Sequence, residues 1–142
     1  MPRAAPLRML SYDHAATQPL STDALVQQRA TELVGRAIRR QLWLFFLDDD
    51  DVQLPLVVPI DDLPIAPPDG VMVAIADLAD AVAATSVVAV LERYGSEELT
   101  PGDREWARHL RDSCAATSVR LRAILLSHRR GVRWVAEDDY LY

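Results

Sequence analysis

A single α/β domain built on a mixed, five-stranded sheet is the fold this sequence predicts. Three observations carry it. Apolar residues recur at helical spacing from Leu25 to Ile38, around Ile75, and from Trp106 to Cys114. Short unbroken apolar runs, QLWLFFL at 41–47 and SVVAVL at 86–91, read as buried strands. The segments follow one another as α-β-β-α-β-α-β-β, about three helices in all, with no repeat and no dividing linker. At 142 residues the chain suits one domain with a real core. Residues 1–20 show no period and read as a flexible or irregular N-terminal arm. Residues 21–142 form the domain.

The first helix starts at Ser21 or Thr22 as cap. It buries Leu25, Val26, Ala30, Leu33, Val34, Ala37 and Ile38, with Arg39 and Arg40 suiting its C-terminal dipole. QLWLFFL is aromatic and bounded by polar residues, which favours a strand over a helix. DDDD turns the chain, and VQLPLVVPI returns as the second arm of a hairpin. Pro55 donates no ladder hydrogen bond, so that strand belongs at an edge or carries a bulge there. After a proline-rich loop, Asp69 caps a helix bearing Val71, Met72, Ile75, Leu78, Ala79 and Val82. SVVAVL, apolar throughout, takes a central place in the sheet. Thr100, Pro101, Asp103 and Glu105 make a well-formed helix start, and Trp106, Ala107, Leu110 and Cys114 are its buried line. VRLRAILLS follows as a strand with Arg120 and Arg122 on one face. HRRG is a turn and VRWVA the fifth strand. The tail EDDYLY either docks on the core or serves as an interaction motif.

Half the residues are hydrophobic and a quarter charged, a globular mixture. No apolar run is long enough to span a bilayer, and the N-terminal segment lacks the apolar stretch of a secretory signal. A cytoplasmic location is the expectation. Every basic residue is arginine and asparagine is absent, the mark of a GC-rich bacterial genome. The net charge of −6 gives no bulk attraction to nucleic acid. Its distribution is uneven: residues 41–91 hold nine Asp and no Arg, whereas residues 119–133 hold five Arg and no acid. The plain reading is ordinary solvated surface; the alternative is a chain that associates with itself or with a bipolar partner.

The stretch LERYGSEELTPGD at 91–103 has the outline of a metal-site loop but no histidine. With RQLWLFFLDDDDVQLPLVV before it and two strands after it, the order of elements over roughly residues 35–136 resembles the RadC branch of the JAB/MPN family. That family holds zinc with a strand-end His-x-His, then a glycine and Ser-x-x-Asp at the next helix start, and uses a Glu near the first strand as acid/base. The resemblance places Gly95 on the glycine, Thr100 on the Ser and Asp103 on the metal-binding Asp. The histidine positions fall on Val90 and Glu92, and the catalytic Glu near Arg40 or Gln41. It therefore implies a degenerate, metal-free relative. Glu92 and Asp103 supply two oxygens and no nitrogen, short of the three ligands a catalytic zinc needs.

No other constellation completes an enzyme. Glu105 and His109 share a helix face as an ordinary i,i+4 pair. His14 lies in the arm, and His128 flanks a turn at the surface. Cys114 reads as a buried structural thiol. No nucleophile elbow, phosphate loop or dinucleotide fingerprint is present. The DDDD run points its carboxylates to alternating sides and lacks the spacing of a calcium loop. The expectation is thus a domain without catalysis or cofactor that binds a protein partner or itself. The weak metal candidates are Glu92, Asp103 and His109. The alternative functions are nucleic-acid binding by Arg120, Arg122, Arg129, Arg130 and Arg133, converging on the final hairpin beside Trp134, and, ranked last, a residual metal-dependent hydrolase using Glu92, Asp103 and His109.

Overall fold

The computed structural model describes residues 18–64, 66, 67 and 71–141, without the side chains of 71–73. The arm as far as residue 17, with His14, and the Asp69 cap lie outside the described residues, as do the side chains of Val71 and Met72. The elements are α1 (Asp23–Leu33), β1 (Gln41–Leu47), β2 (Gln53–Asp61), α2 (Val71–Ala81), β3 (Ser86–Glu92), α3 (Pro101–Ala115), β4 (Arg120–His128), β5 (Gly131–Val135) and α4 (Glu137–Leu141). The predicted order holds, with one short helix added at the end.

The sheet runs β2-β1-β3-β4-β5. Only β3 and β4 are parallel, joined across α3, while the other neighbours are antiparallel. β3 is central and every one of its residues is buried. β2 is an edge strand, and its ladder with β1 shifts register opposite the Phe45–Leu47 stretch, where Pro55 lies. Alternation splits β1, β3 and β4 between two cores. Leu42, Leu44, Phe46, Ala89, Leu91, Ile124 and Leu126 pack with Ile75 and Ala79 of α2, Trp106 and Leu110 of α3, and Tyr140 of α4. Phe45, Leu47, Val88, Val90 and Leu125 pack with Val26 and Ala30 of α1. Helices thus cover both faces, as the unbroken apolar strands require. No helix of the described residues is long and apolar enough to cross a membrane.

Two expectations are corrected and one open alternative is decided. First, α1 stops at Leu33, not near Arg40. Gly35 takes a left-handed φ of +67°, which only glycine adopts freely, and this ends the helix. The apolar spacing beyond it is not a helical stripe, and Ile38 is 63% exposed. Second, the tail folds as α4 and docks. Tyr140 is buried, and Arg104 and Arg108 donate to the Asp139 and Tyr140 carbonyls. Third, His128 is buried, with its Nδ1 accepting from the Arg130 amide. Burial lowers its pKa, and Arg93, Arg133 and Arg129 lower it further against the opposing effect of Glu97.

Candidate functional site

The end of β3 sends neighbouring side chains to opposite faces of the sheet. Val88 and Val90 face α1, while Ala89 and Leu91 face α2 and α3. Glu92 continues the first series, and Arg93 reaches Asp103 of α3 on the other side.

Glu92 is only 2% exposed. Its carboxylate accepts four hydrogen bonds: from the Ile38 amide at 2.7 Å, the Arg39 amide at 3.1 Å, Gln41 Nε2 at 2.7 Å and Trp43 Nε1 at 2.8 Å. Burial pushes its pKa up, but the four donors outweigh burial and hold it below the ordinary 4.5. The carboxylate therefore pins the irregular stretch after α1 to the start of β1. It is saturated with donors inside the protein. Gln41, one of the two positions near which the resemblance sets the acid/base glutamate, is one of those donors.

Arg93 and Asp103 form a buried ion pair, with side chains 7% and 4% exposed and Nη2 to Oδ2 at 2.8 Å. Arg93 Nε also donates to Asp103, at 3.1 Å to Oδ2. The rest of the guanidinium is used up on the loop. Nη1 donates to the Tyr94 and Ser96 carbonyls and Nη2 to that of Glu98. Asp103 Oδ2 also accepts from the Thr100 amide while Thr100 Oγ1 accepts from the Asp103 amide, a reciprocal capping box that opens α3. Gly95 has a φ of +109°, and a Cβ there would lie 3.4 Å from Arg93 Nη1. The glycine lets the loop close on the guanidinium. The loop at 93–103 is thus an oxygen-lined cradle around a cation, and the cation is an arginine side chain.

The three weak metal candidates are not brought together. Glu92 and Asp103 are engaged on opposite faces. The His109 ring stands edge-on to Trp106, with centroids 6.4 Å apart, and its buried Nε2 has no hydrogen-bond partner. Among the described residues, no group of three or more His, Cys, Asp or Glu is close enough to hold a metal ion. Cys114 is buried, which pushes its thiol up to about 11 and leaves it a poor nucleophile.

The five arginines are divided, not convergent. A register shift at Val87/Val88 breaks the alternation of early β4, and Arg120 and Arg122 lie ahead of its pairing with β5. Arg120 meets Asp51 at 3.8 Å and Arg122 meets Asp23 at 2.9 Å. Arg133 pairs with Asp139 at 3.0 Å. Arg129 and Arg130 sit exposed at the β4–β5 turn, at the other end of the strand. Trp134 packs against the core on the α1 face, so it is not a free stacking surface. A shallow cleft of about 540 Å³ opens beside the start of β1, lined by Arg39, Arg40, Asp61, Asp62, Leu63 and Tyr94.

Sequence reasoning passed over Arg93. The signal that could have found it is an arginine at the end of a fully buried central strand, one residue past its apolar run, with an aspartate at the third position of the next helix. A cation leaving the core at that point needs a partner. No protein-family model matches the chain, and no curated protein matches it.

Proposed function

We propose that this chain is a non-catalytic binding domain on a JAB/RadC-like scaffold, acting in the cytoplasm through a protein partner or through its own kind. The observation that carries the reading is the Arg93–Asp103 pair. Asp103, which the resemblance makes a metal ligand, spends its carboxylate on a guanidinium and on a helix cap. A dication brought to Asp103 would meet a fixed positive charge 2.8 Å from its oxygen. Glu92 offers no open lone pair in exchange, since four donors surround it. The order of elements supports the scaffold assignment.

Native mass spectrometry of the purified chain after exposure to zinc tests this directly. The expected spectrum shows metal-free protein at every charge state. One zinc retained per chain would overturn the reading and call for hydrolase assays. The arginine alternative is weakened as a five-residue site, because Arg120, Arg122 and Arg133 are neutralised internally.

A further inference from the structure

Three hydrogen bonds stitch separate loops together at one end of the sheet. The Ala37 amide donates to the His128 carbonyl at 2.8 Å, the Arg129 amide to the Gly95 carbonyl at 3.1 Å, and Tyr94 Oη to the Ile38 carbonyl at 2.6 Å. They gather Arg36, Arg39, Arg129 and Arg130 from positions more than ninety residues apart. All four are exposed, and none takes part in an ion pair among the described residues. Among the described residues, Ile38 and Tyr94 are the exposed large hydrophobic residues, at 63% and 69%, and the last of the three hydrogen bonds joins them. Apolar residues scattered singly on a surface need no explanation, but two tied together, with Tyr94 sharing a cleft with Arg39 and Arg40, do. Asp61 and Asp62 share the cleft with Arg39 and Arg40, and Glu97 and Glu98 lie in the 93–100 loop. The positive surplus therefore rests on Arg36, Arg129 and Arg130.

The other end of the same strands is acidic. The β1–β2 turn carries Asp48 to Asp51, with Asp49 and Asp50 exposed. Asp48 is occupied in the turn, accepting from the Asp50 and Val52 amides, and Asp51 faces Arg120. α2 and α3 both end here, because each leads into a strand running back through the sheet. Neither has a basic residue in its last turn, so their C-terminal dipoles add negative potential. The seven residues of β3 separate the two ends by roughly 20 Å.

We propose that copies of this chain associate end to end, the Asp48–Asp51 turn of one docking on the Arg36, Arg39, Arg129 and Arg130 face of the next. This rests on the reading of the chain as a binding domain and names the partner as a second copy. The two surfaces differ, so the contact is heterologous and each docked copy presents a fresh end. Exposed charge pairs are weak singly and screened by salt, while Ile38 and Tyr94 add apolar area at the same end of the sheet.

Sedimentation velocity of the full chain, at low and high salt over a range of concentrations, tests it. Two double variants alter only exposed groups: Arg129→Glu with Arg130→Glu, and Asp49→Arg with Asp50→Arg. At low salt the wild type should grow in mass with concentration, and high salt should reverse this. Each variant alone should associate about tenfold more weakly or worse. An equimolar mixture of the two should assemble, because each supplies the charge the other has lost. A wild type that stays monomeric at low salt, variants that assemble like wild type, or a mixture that stays apart would each overturn the proposal. So would a monomer whose Arg129 and Arg130 retain a single-stranded oligonucleotide, since the face would then belong to nucleic acid. A metal-free monomer defeats end-to-end docking but leaves the non-catalytic reading standing, whereas bound zinc defeats that reading whatever the assembly state.

Discussion

Replacing Arg93 with alanine is expected to destabilise the domain by about 3–5 kcal/mol, the usual effect of removing one partner from a buried ion pair. Asp103 would be left in a 4% exposed site with the Thr100 amide as its remaining donor. The carbonyls of Tyr94, Ser96 and Glu98 would lose their donors together. The midpoint of urea unfolding, followed by far-ultraviolet circular dichroism, measures the loss. Arg93→Lys should recover only part of it, because an ammonium group cannot span the carboxylate and three carbonyls at once. If Arg93→Ala unfolds at the wild-type midpoint, the guanidinium is not what closes the loop, and the account of the site as a filled cation cradle fails.

Glu92→Leu is the second large effect. It removes the acceptor of four donors, two of them backbone amides of an irregular segment with no ladder to fall back on. Each buried donor left unpaired costs about 1–3 kcal/mol. Gln41 and Trp43 can partly turn toward water, so a total of about 3 kcal/mol is expected in chemical unfolding, not the full sum. The same group sets an acid limb of stability. Its native pKa lies below the ordinary 4.5. The unfolded chain therefore binds the proton more readily between the two values. The Glu92 contribution is fully present above pH 4.5 and drains away as the pH falls through the native pKa. Glu92→Gln should show a flatter stability profile in that window than wild type. An unchanged slope there would mean that another carboxylate controls the acid limb.

What the sequence made legible was what local pattern decides. The order of strands and helices, the central place of SVVAVL, the edge position of the Pro55 strand and the Thr100 cap all follow from apolar runs, proline chemistry and short-range hydrogen bonds. The α1 terminus was misread because apolar spacing continued past Gly35, and a left-handed glycine outweighs periodicity. The site was less legible, since its parts meet only through the fold. Glu92 finds Ile38 and Arg39 across more than fifty positions. Spacing set the resemblance's histidines at Val90 and Glu92, yet the residues that share a face with α3 are Leu91 and Arg93. A one-residue offset in a strand reverses the face, and no sequence pattern announces which face is meant. The separation of Arg120 and Arg122 from the hairpin arginines likewise depends on where β5 begins to pair.

The open margin of the sheet has its own consequence. Pro59 stands in register opposite Trp43 without breaking the ladder, so its nitrogen belongs on the outer side of β2, and Pro55 sits where the register slips. A strand arriving at that margin would find donors missing from the template. Tryptophans, phenylalanines and branched aliphatics make the apolar strands of this chain good fibril formers in principle. The prolines make the most exposed of those strands a poor seed. Copies can therefore be brought to high local concentration in the folded state without the β2 margin becoming the surface on which they coalesce.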